Sequence, residues 1–490
     1  MSMCIIKLIS TIHKKNMLLV NEYEFMFNKN NFRKRDNENV YYWICVKKCG
    51  ATFRTIIKNN EHIKDESCIL MNHSHAPNPI QNECKIIKNK IKTAALQSQD
   101  NPHKIYQEQI IGVPSVVSSQ ISKNASKQLI KRQRKGKLTE PSCVENYNPP
   151  PELRKTISGQ DFLIKEIYDE KNRIIIFTTV QNCSYLRESE FWLADGTYKS
   201  CPNLFKQLYT IHGSINRGKD QICLPLVFAL MTNQTENSYK VMFTALNNFA
   251  IEHNINFKDN TDLEIITDFE IAAINAINDV FPFSMHSACF FHFSQNIYRH
   301  IQKEGLTTKY IDDQNFNLLC RHLPALAFLP VSKVNESWKQ LKTEFSNDER
   351  EQKLLDYFET TYVTGRSVRL RGRNPQVKPP LYPPELWSVA QRVECNLPRT
   401  TNITESWHSR LNRLISKHPG AYKFIILLQK IQNENESLIE QFIQGRIAKK
   451  IPKVSRKQHE ERIKNLVLRF KDSDQNSIEF LRGIAYNLNF

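Results

Sequence analysis

No apolar run in this 490-residue chain reaches the roughly 18–20 residues needed to cross a bilayer. The longest, ICLPLVFALM, contains Pro225 and stops short. The stretch MCIIKLIS is broken by Lys7 and followed by HKK, which predicts that it is a poor secretory signal. There is no internal repeat and no basic amphipathic anchor. The hydrophobic fraction of 40% excludes a disordered chain. These absences predict an intracellular globular protein, in which twelve cysteines do not form a disulfide framework. Eight of them (Cys4, Cys84, Cys143, Cys183, Cys201, Cys223, Cys320 and Cys395) are scattered and read as buried thiols.

What is present is positive charge, unevenly placed. Residues 1–150 hold 24 Lys/Arg against 12 Asp/Glu, and the remainder holds 44 against 38. A basic first third attached to a nearly balanced remainder points to a polyanion-binding region, with nucleic acid favoured over membrane. The length allows two to four domains.

The first 80 residues carry short aromatic and β-branched runs, MLLVNEYEFMF, VYYWICV and ATFRTII, with KNNFRKRDNEN expected as a hairpin loop. Residues 81–150 are polar and basic, with weak helical periodicity interrupted at Pro102 and Pro114; a small helix-turn-helix-like unit is compatible with it. They end in KRQRKGK and a Pro-rich linker at Pro149 to Pro151. Beyond the linker RIIIFTTV, FWLADGTY, FKQLYTIHGSI and QICLPLVFALMT read as strands. A helix (NSYKVMFTALNNFAIEH), a strand (LEIITD), a helix (IAAINAINDVF) and a strand leading into a helix (HSACFF) follow. This order predicts an α/β RNase H-like core over 151–425. A mostly helical insertion covers about 295–395, and a helical basic tail covers 426–490.

Cys45 and Cys49 lie close together, and so do His73 and His75, the paired spacing with which a small module supplies four tetrahedral ligands to structural Zn²⁺. Cys68 is a lower-ranked substitute. Leu18, Leu19, Tyr23, Phe25, the YYW ending at Trp43, Cys45, the CGA at Cys49, and HSH before Pro77 make residues 1–80 resemble a FLYWCH zinc finger, although the gap between the cysteines is shorter than usual. The resemblance implies a DNA-binding module.

Asp195 in FWLADGTYK and Asp268 in LEIITDFE each close an apolar strand, a position from which a carboxylate is aimed by rigid backbone. Two divalent ions need further oxygen ligands. Glu405 in NITESWHSRLNRL is the preferred third acid, on a polar face with Ser409, Asn412 and Ser416, opposite Trp407, Leu411, Leu414 and Ile415. A capping box between Asn402 and Glu405 is its competing explanation, and Glu270 and Glu394 are alternative third acids.

DGTYKSCP, TDFEIAAINAINDVFP, CFFHFSQN and TTNITESWHSRLN, in that order, resemble the catalytic segments of Mutator-like (MULE) transposases over about 190–420. The resemblance implies a DDE triad, carried here to Asp195, Asp268 and Glu405, and two catalytic Mg²⁺ ions. It also implies double-stranded DNA, as element ends and target, for a partner. The family's Cys-x-x-His element falls on Cys289 and His292, as a ligand pair, a brace or ordinary packing. Lys131, Arg132, Arg134 and Lys135 are candidate phosphate contacts or a nuclear localisation signal, which would place the protein in the nucleus; RLRGR at Arg369 to Arg373 and KKIPKVSRK are further basic candidates. A homo-oligomer is compatible with this reading. The alternatives are a domesticated, non-catalytic DNA-binding or transcriptional regulatory descendant and an RNase H-like nuclease acting on RNA or hybrids.

Overall fold

The computed structural model describes residues 6–10, 16–58, 61–69, 71–97, 100–134, 140–169, 172–218, 220–368, 376–415, 417–446, 454–471 and 476–488. The chain forms two compact units, Met1–Thr139 and Glu140–Phe490.

The first unit begins with six antiparallel strands in sequence order: β1 (Ile6–Ser10), β2 (Asn16–Val20), β3 (Tyr23–Arg33), β4 (Glu38–Cys45), β5 (Thr52–Lys58) and β6 (Glu61–Lys64). The run read as MLLVNEYEFMF is two strands, joined at Asn21 and Glu22 with φ of 48° and 70°. Two successive positive φ values match the right-handed twist of a two-residue hairpin. KNNFRKRDNEN is mostly strand, because Arg33 pairs with Glu38 and only Lys34 to Asn37 form the turn. Arg33 pairs with Asp36 at 2.8 Å and Glu38 at 3.7 Å across the turn, and with Asp65, just after β6, at 3.0 Å. Leu18, Phe25, Trp43 and Phe53 fill the small core.

Residues that looked only weakly helical form α1 (Pro79–Gln97), α2 (Pro102–Ile110), α3 (Ser115–Ser118) and α4 (Lys123–Arg134). Their separate core is Ile87, Ile91, Ile105, Val117, Ile121 and Ile130. These core residues fall at helical spacing and are buried, whereas Leu96, Ile111 and Val116 are left exposed.

The second unit is mixed α/β with a largely helical C-terminal region. Its seven-stranded sheet is built from β7 (Leu163–Asp169), β8 (Asn172–Phe177), β9 (Phe191–Thr197), β10 (Gln207–Arg217), β11 (Asp220–Met231), β12 (Glu264–Thr267) and β13 (Met285–Ala288). The strand order is β13-β12-β9-β10-β11-β8-β7. Strands β9, β12 and β13 run parallel, and the other neighbours are antiparallel. Pro225 sits in β11 opposite a register shift at Ile211/His212, an irregularity that suits a residue without an N–H. Helices α5 (Val180–Glu188), α6 (Glu236–Glu252), α7 (Ile271–Val280) and α8 (Phe290–Lys303) follow β8, β11, β12 and β13. Trp192, Ile211 and Ala229 of the sheet pack against Met242, Phe243 and Ile277.

The helical stretch after α8 has a core of its own around Phe293, Trp338, Phe358 and Trp387. The tail is divided between the two cores. The helix Ala421–Ile443 returns to the sheet through Ile439 and Phe442, while Val454–Lys471 and Ser477–Asn487 bury Val467, Phe480 and Ile484 in the insertion. Among the described residues, no helix is long and apolar enough to cross a membrane.

One buried cation ties these parts together. Arg392 lies 3.2 Å from Glu264 at the start of β12, and its guanidinium donates to the carbonyls of Ala288 at 3.2 Å, Ser388 at 3.1 Å and Arg399 at 3.5 Å. Both side chains are almost wholly buried, so removing one leaves an uncompensated charge. Arg392→Met should destabilise the second unit by about 3–5 kcal/mol in chemical denaturation, and adding Glu264→Gln should recover part of that loss. Equal midpoints for parent and Arg392→Met would show the pair to be dispensable.

Candidate functional site

In the first unit, β4 ends at Cys45 and a tight turn, with Lys48 at φ 55° and Gly50 at φ 87°, brings Cys49 back beside it. The segment after β6 returns His73 and His75 to the same place. Cys45 Sγ is 3.1 Å from His75 Nε2, Cys49 Sγ is 3.3 Å from His73 Nδ1, and the two histidine nitrogens are 3.3 Å apart. All four ligand atoms lie within 4.8 Å of one another. Tetrahedral Zn²⁺ with ordinary bond lengths requires N···N edges of about 3.3 Å and N···S edges of about 3.6 Å, so this group could hold zinc. His73 stacks on Tyr23 with ring centroids 3.7 Å apart. The backbone N–H of Ala51, with help from Cys45 and His75, brings the Cys49 thiol down to about 7, toward the thiolate a metal requires. Cys68 is engaged elsewhere, accepting from the Arg54 N–H at 3.2 Å.

In the second unit, the pairing of β9 with β12 sets Leu193 opposite Ile266. Two residues further on stand Asp195, inside β9 and not at its end, and Asp268, the first residue after β12, so the parallel register brings the two carboxylates near enough to influence each other. Strand β13 continues the series: Thr267 pairs with Ala288, and Cys289 donates its N–H to the Thr267 carbonyl at 2.7 Å. Asp195, Asp268 and Cys289 thus stand at one end of three parallel strands, where open α/β sheets form their ligand crevices.

The electrostatics reflect this crowding. Burial and the charge of Asp195 raise the Asp268 carboxyl above its ordinary range, against the Glu270 N–H that donates to it at 3.1 Å. Burial, then Asp268 and Asp195, lift Glu270 to about 7, although Tyr239 donates to it at 2.9 Å. His292, one turn into α8, supplies the countercharge. Burial opposes its charged form, but Cys289, Asp268 and Asp195 outweigh burial and raise it to about 9.

Glu405 joins from the helix Asn402–Leu414, with its carboxylate 3.5 Å from His292 Nε2. The capping-box explanation does not apply. The helix is capped by Thr401 without a side-chain cap bond, because the Thr401 hydroxyl and N–H both donate to Cys289 Sγ at 3.3 Å. Cys289 therefore braces the start of the helix that carries Glu405. Burial opposes the Cys289 thiolate, but His292 and Thr401 outweigh it and lower its pKa. Asp195, Asp268 and Glu405 are not a group within 4.8 Å of one another, as the Cys/His four are. Glu270 caps α7 beside the acids, whereas Glu394 is engaged with Lys471 at 2.8 Å.

The face of the Glu405 helix differs from expectation. Thr404, His408 and Leu411 are buried and Leu414 is 54% exposed, while Ser409 is exposed and Ser416 lies outside the described residues. His408, which sequence reasoning missed, places Nδ1 3.5 Å from Asp195 and Nε2 3.1 Å from the Thr210 hydroxyl. Thr210 in turn donates to the Asp195 carbonyl at 3.3 Å. The available signal was the i, i+4, i+7 spacing of Thr404, His408 and Leu411, two of which are polar.

Lys131 and Arg132 are exposed on α4. Arg134 ends that helix, and Lys135 lies outside the described residues, as do RLRGR from Arg369 on and the start of KKIPKVSRK.

The Cys/His group yields a direct expectation. The full-length protein should contain about one Zn²⁺ per chain, and Cys45→Ser should lose it together with the near-UV signal of the Trp43 core. Unchanged zinc content in Cys45→Ser by elemental analysis would remove the assignment.

No curated protein matches the chain. Residues 191–296 match the profile of the MULE transposase domain. That segment starts at the first residue of β9 and ends inside α8, so it contains Asp195, Asp268, Cys289 and His292 and leaves Glu405 beyond its limit. The match to this domain supports a transposase-type function.

Proposed function

We propose that the chain is a DNA transposase that cuts phosphodiesters at the ends of its element and joins them to target DNA through a DDE triad of Asp195, Asp268 and Glu405. The observation that carries this reading is the β9–β12 register, which makes Asp195 and Asp268 neighbours within the matched segment. Three antiparallel strands β9 to β11 followed by helix, parallel strand, helix and parallel strand are the order expected of an RNase H-like core. The Cys/His module is read as FLYWCH-type and as contacting double-stranded DNA, and the nucleus as the place of action.

The donor chemistry fits hard divalent ions. Two carboxylates share a largely buried position, where burial and then the Asp195 charge raise the Asp268 pKa. A bound Mg²⁺ pair would supply an activated water and stabilise the leaving 3′ oxygen. The chain's own residues do the positioning. Gly196 N–H donates to Asp195 Oδ1 at 2.8 Å, and His408 faces the other oxygen. Glu270 N–H orients Asp268. The His292 imidazolium, facing Glu405 and carrying the influence of both aspartates, holds the negative cluster together until cations and DNA arrive.

Asp195→Asn, Asp268→Asn and Glu405→Gln should each reduce Mg²⁺- or Mn²⁺-dependent cleavage of duplexes carrying the cognate ends by about a hundredfold or more, because such sites act as a unit. Asp279→Asn and Glu336→Gln, on surface ion pairs with Lys240 and Lys333, should cleave normally. Full activity in Glu405→Gln with loss in Glu270→Gln would move the third ligand to Glu270. A folded parent that binds but never cleaves its ends would favour a domesticated DNA-binding protein.

A further inference from the structure

The helical half of the first unit has a surface that the catalytic reading does not use. α1, α2 and α4 close around Ile87, Ile91, Ile105 and Ile130, with the short α3 between α2 and α4 contributing Val117. Tyr106 of α2 ties the connection down by donating to the Ile121 carbonyl at 3.2 Å. Helix α4 turns Ser126 and Ile130 inward. On its other side, Lys123, Asn124, Gln128, Lys131 and Arg132 are exposed, and Lys127 is half-buried.

That outer face has a regular chemistry. Positions 123–124, 127–128 and 131–132 are successive turns of one stripe, and each turn offers a lysine beside a second hydrogen-bonding residue: Asn, Gln and Arg. Among the described residues, none of Lys123, Lys127, Lys131 and Arg132 has a carboxylate partner. By contrast, Lys104 on α2 is held between Asp100 at 3.4 Å and Glu108 at 3.9 Å. Residues 79–134 contain ten Lys/Arg and three Asp/Glu. The stripe carries no large apolar side chain, so it is unsuited to entering a lipid interface. A twelve-residue helix is about 18 Å long, a rod that the major groove of B-form DNA admits and the narrow major groove of A-form RNA does not.

We propose that α4 is a base-reading helix: a second DNA-recognition element, separate from the Cys/His module. In it Asn124 and Gln128 contact base edges in the major groove while the flanking lysines hold the phosphates. Asparagine and glutamine pair in bidentate fashion with adenine N6 and N7, and arginine with guanine O6 and N7, so the stripe predicts a motif that contains adenines and a guanine. The inference rests on the first unit alone and does not require the chain to be an active transposase.

The test uses the full-length chain and a randomised duplex DNA library. The parent should select a motif, and Asn124→Ala with Gln128→Ala should lose discrimination at two or more of its positions by about tenfold each, with affinity for random DNA nearly kept. Lys123→Ala with Lys127→Ala should instead weaken binding to all sequences alike and lower the slope of log affinity against log salt by about 0.9 per lost contact. All variants should keep the parent's circular dichroism and zinc content. The same selected motif at undiminished discrimination in Asn124→Ala/Gln128→Ala would overturn the proposal, because the Cys/His module would then do the reading. Failure of the parent to select any motif would overturn it as well, and so would tighter binding to an RNA duplex or to anionic phosphatidylserine vesicles.

Discussion

The second unit depends on the parallel register between β9 and β12. That pairing brings together Asp195, near the end of β9, and Asp268, just past the end of β12, on two strands whose other residues are almost all buried. Two carboxylates in such a place repel each other and are poorly solvated, and Asp268 shows the consequence in a pKa raised by burial and by Asp195. A fold does not retain this arrangement without compensation. Here the backbone N–H groups of Gly196 and Glu270 and the His292 ring supply it.

The surrounding architecture can be read as support for that pair. Arg392 joins the beginning of β12, the end of β13 and the chain leading to the Glu405 helix. Cys289 then fixes the first turn of the helix through Thr401, and His408 on the same helix reaches back to Asp195. Each contact joins a strand end to an element distant in sequence. Positions of acids separated by more than two hundred residues are therefore set by a few buried polar contacts, which are costly to break. The Cys/His group works differently. Its core is small, and a bound metal would supply stability that Leu18, Phe25, Trp43 and Phe53 cannot supply alone.

Much of this was legible in the sequence, for local reasons. The apolar runs in FWLADG and LEIITD declare the two strands, although the acids do not end them: β9 continues past Asp195 to Thr197, and Asp268 is the first residue after β12. Pairs of Cys and His at short spacing declare a ligand set whatever lies between them. The buried face of the Glu405 helix was not legible, because it is chosen by hydrogen bonding and not by apolarity: His408 is buried to meet Thr210 and Asp195, and Leu414 is left in solvent. Hydrophobic periodicity cannot find a polar buried stripe. The hairpin at Arg33 was hidden for a related reason, since a charge that usually marks a loop sits there in a strand, paired with Asp36, Glu38 and Asp65. The four helices of residues 79–134 were faint because their core uses a few isolated isoleucines and valines in a polar background.

The central claim is that the strand-end carboxylates form a divalent-cation site. Anomalous diffraction from crystals of the protein grown with Mn²⁺ tests it most directly. The account predicts a manganese peak bridging the Asp195 and Asp268 carboxylates, with a Glu405 oxygen drawn toward it and away from His292. Well-ordered carboxylates with no manganese between them, at a concentration that saturates other divalent sites in the crystal, would contradict it.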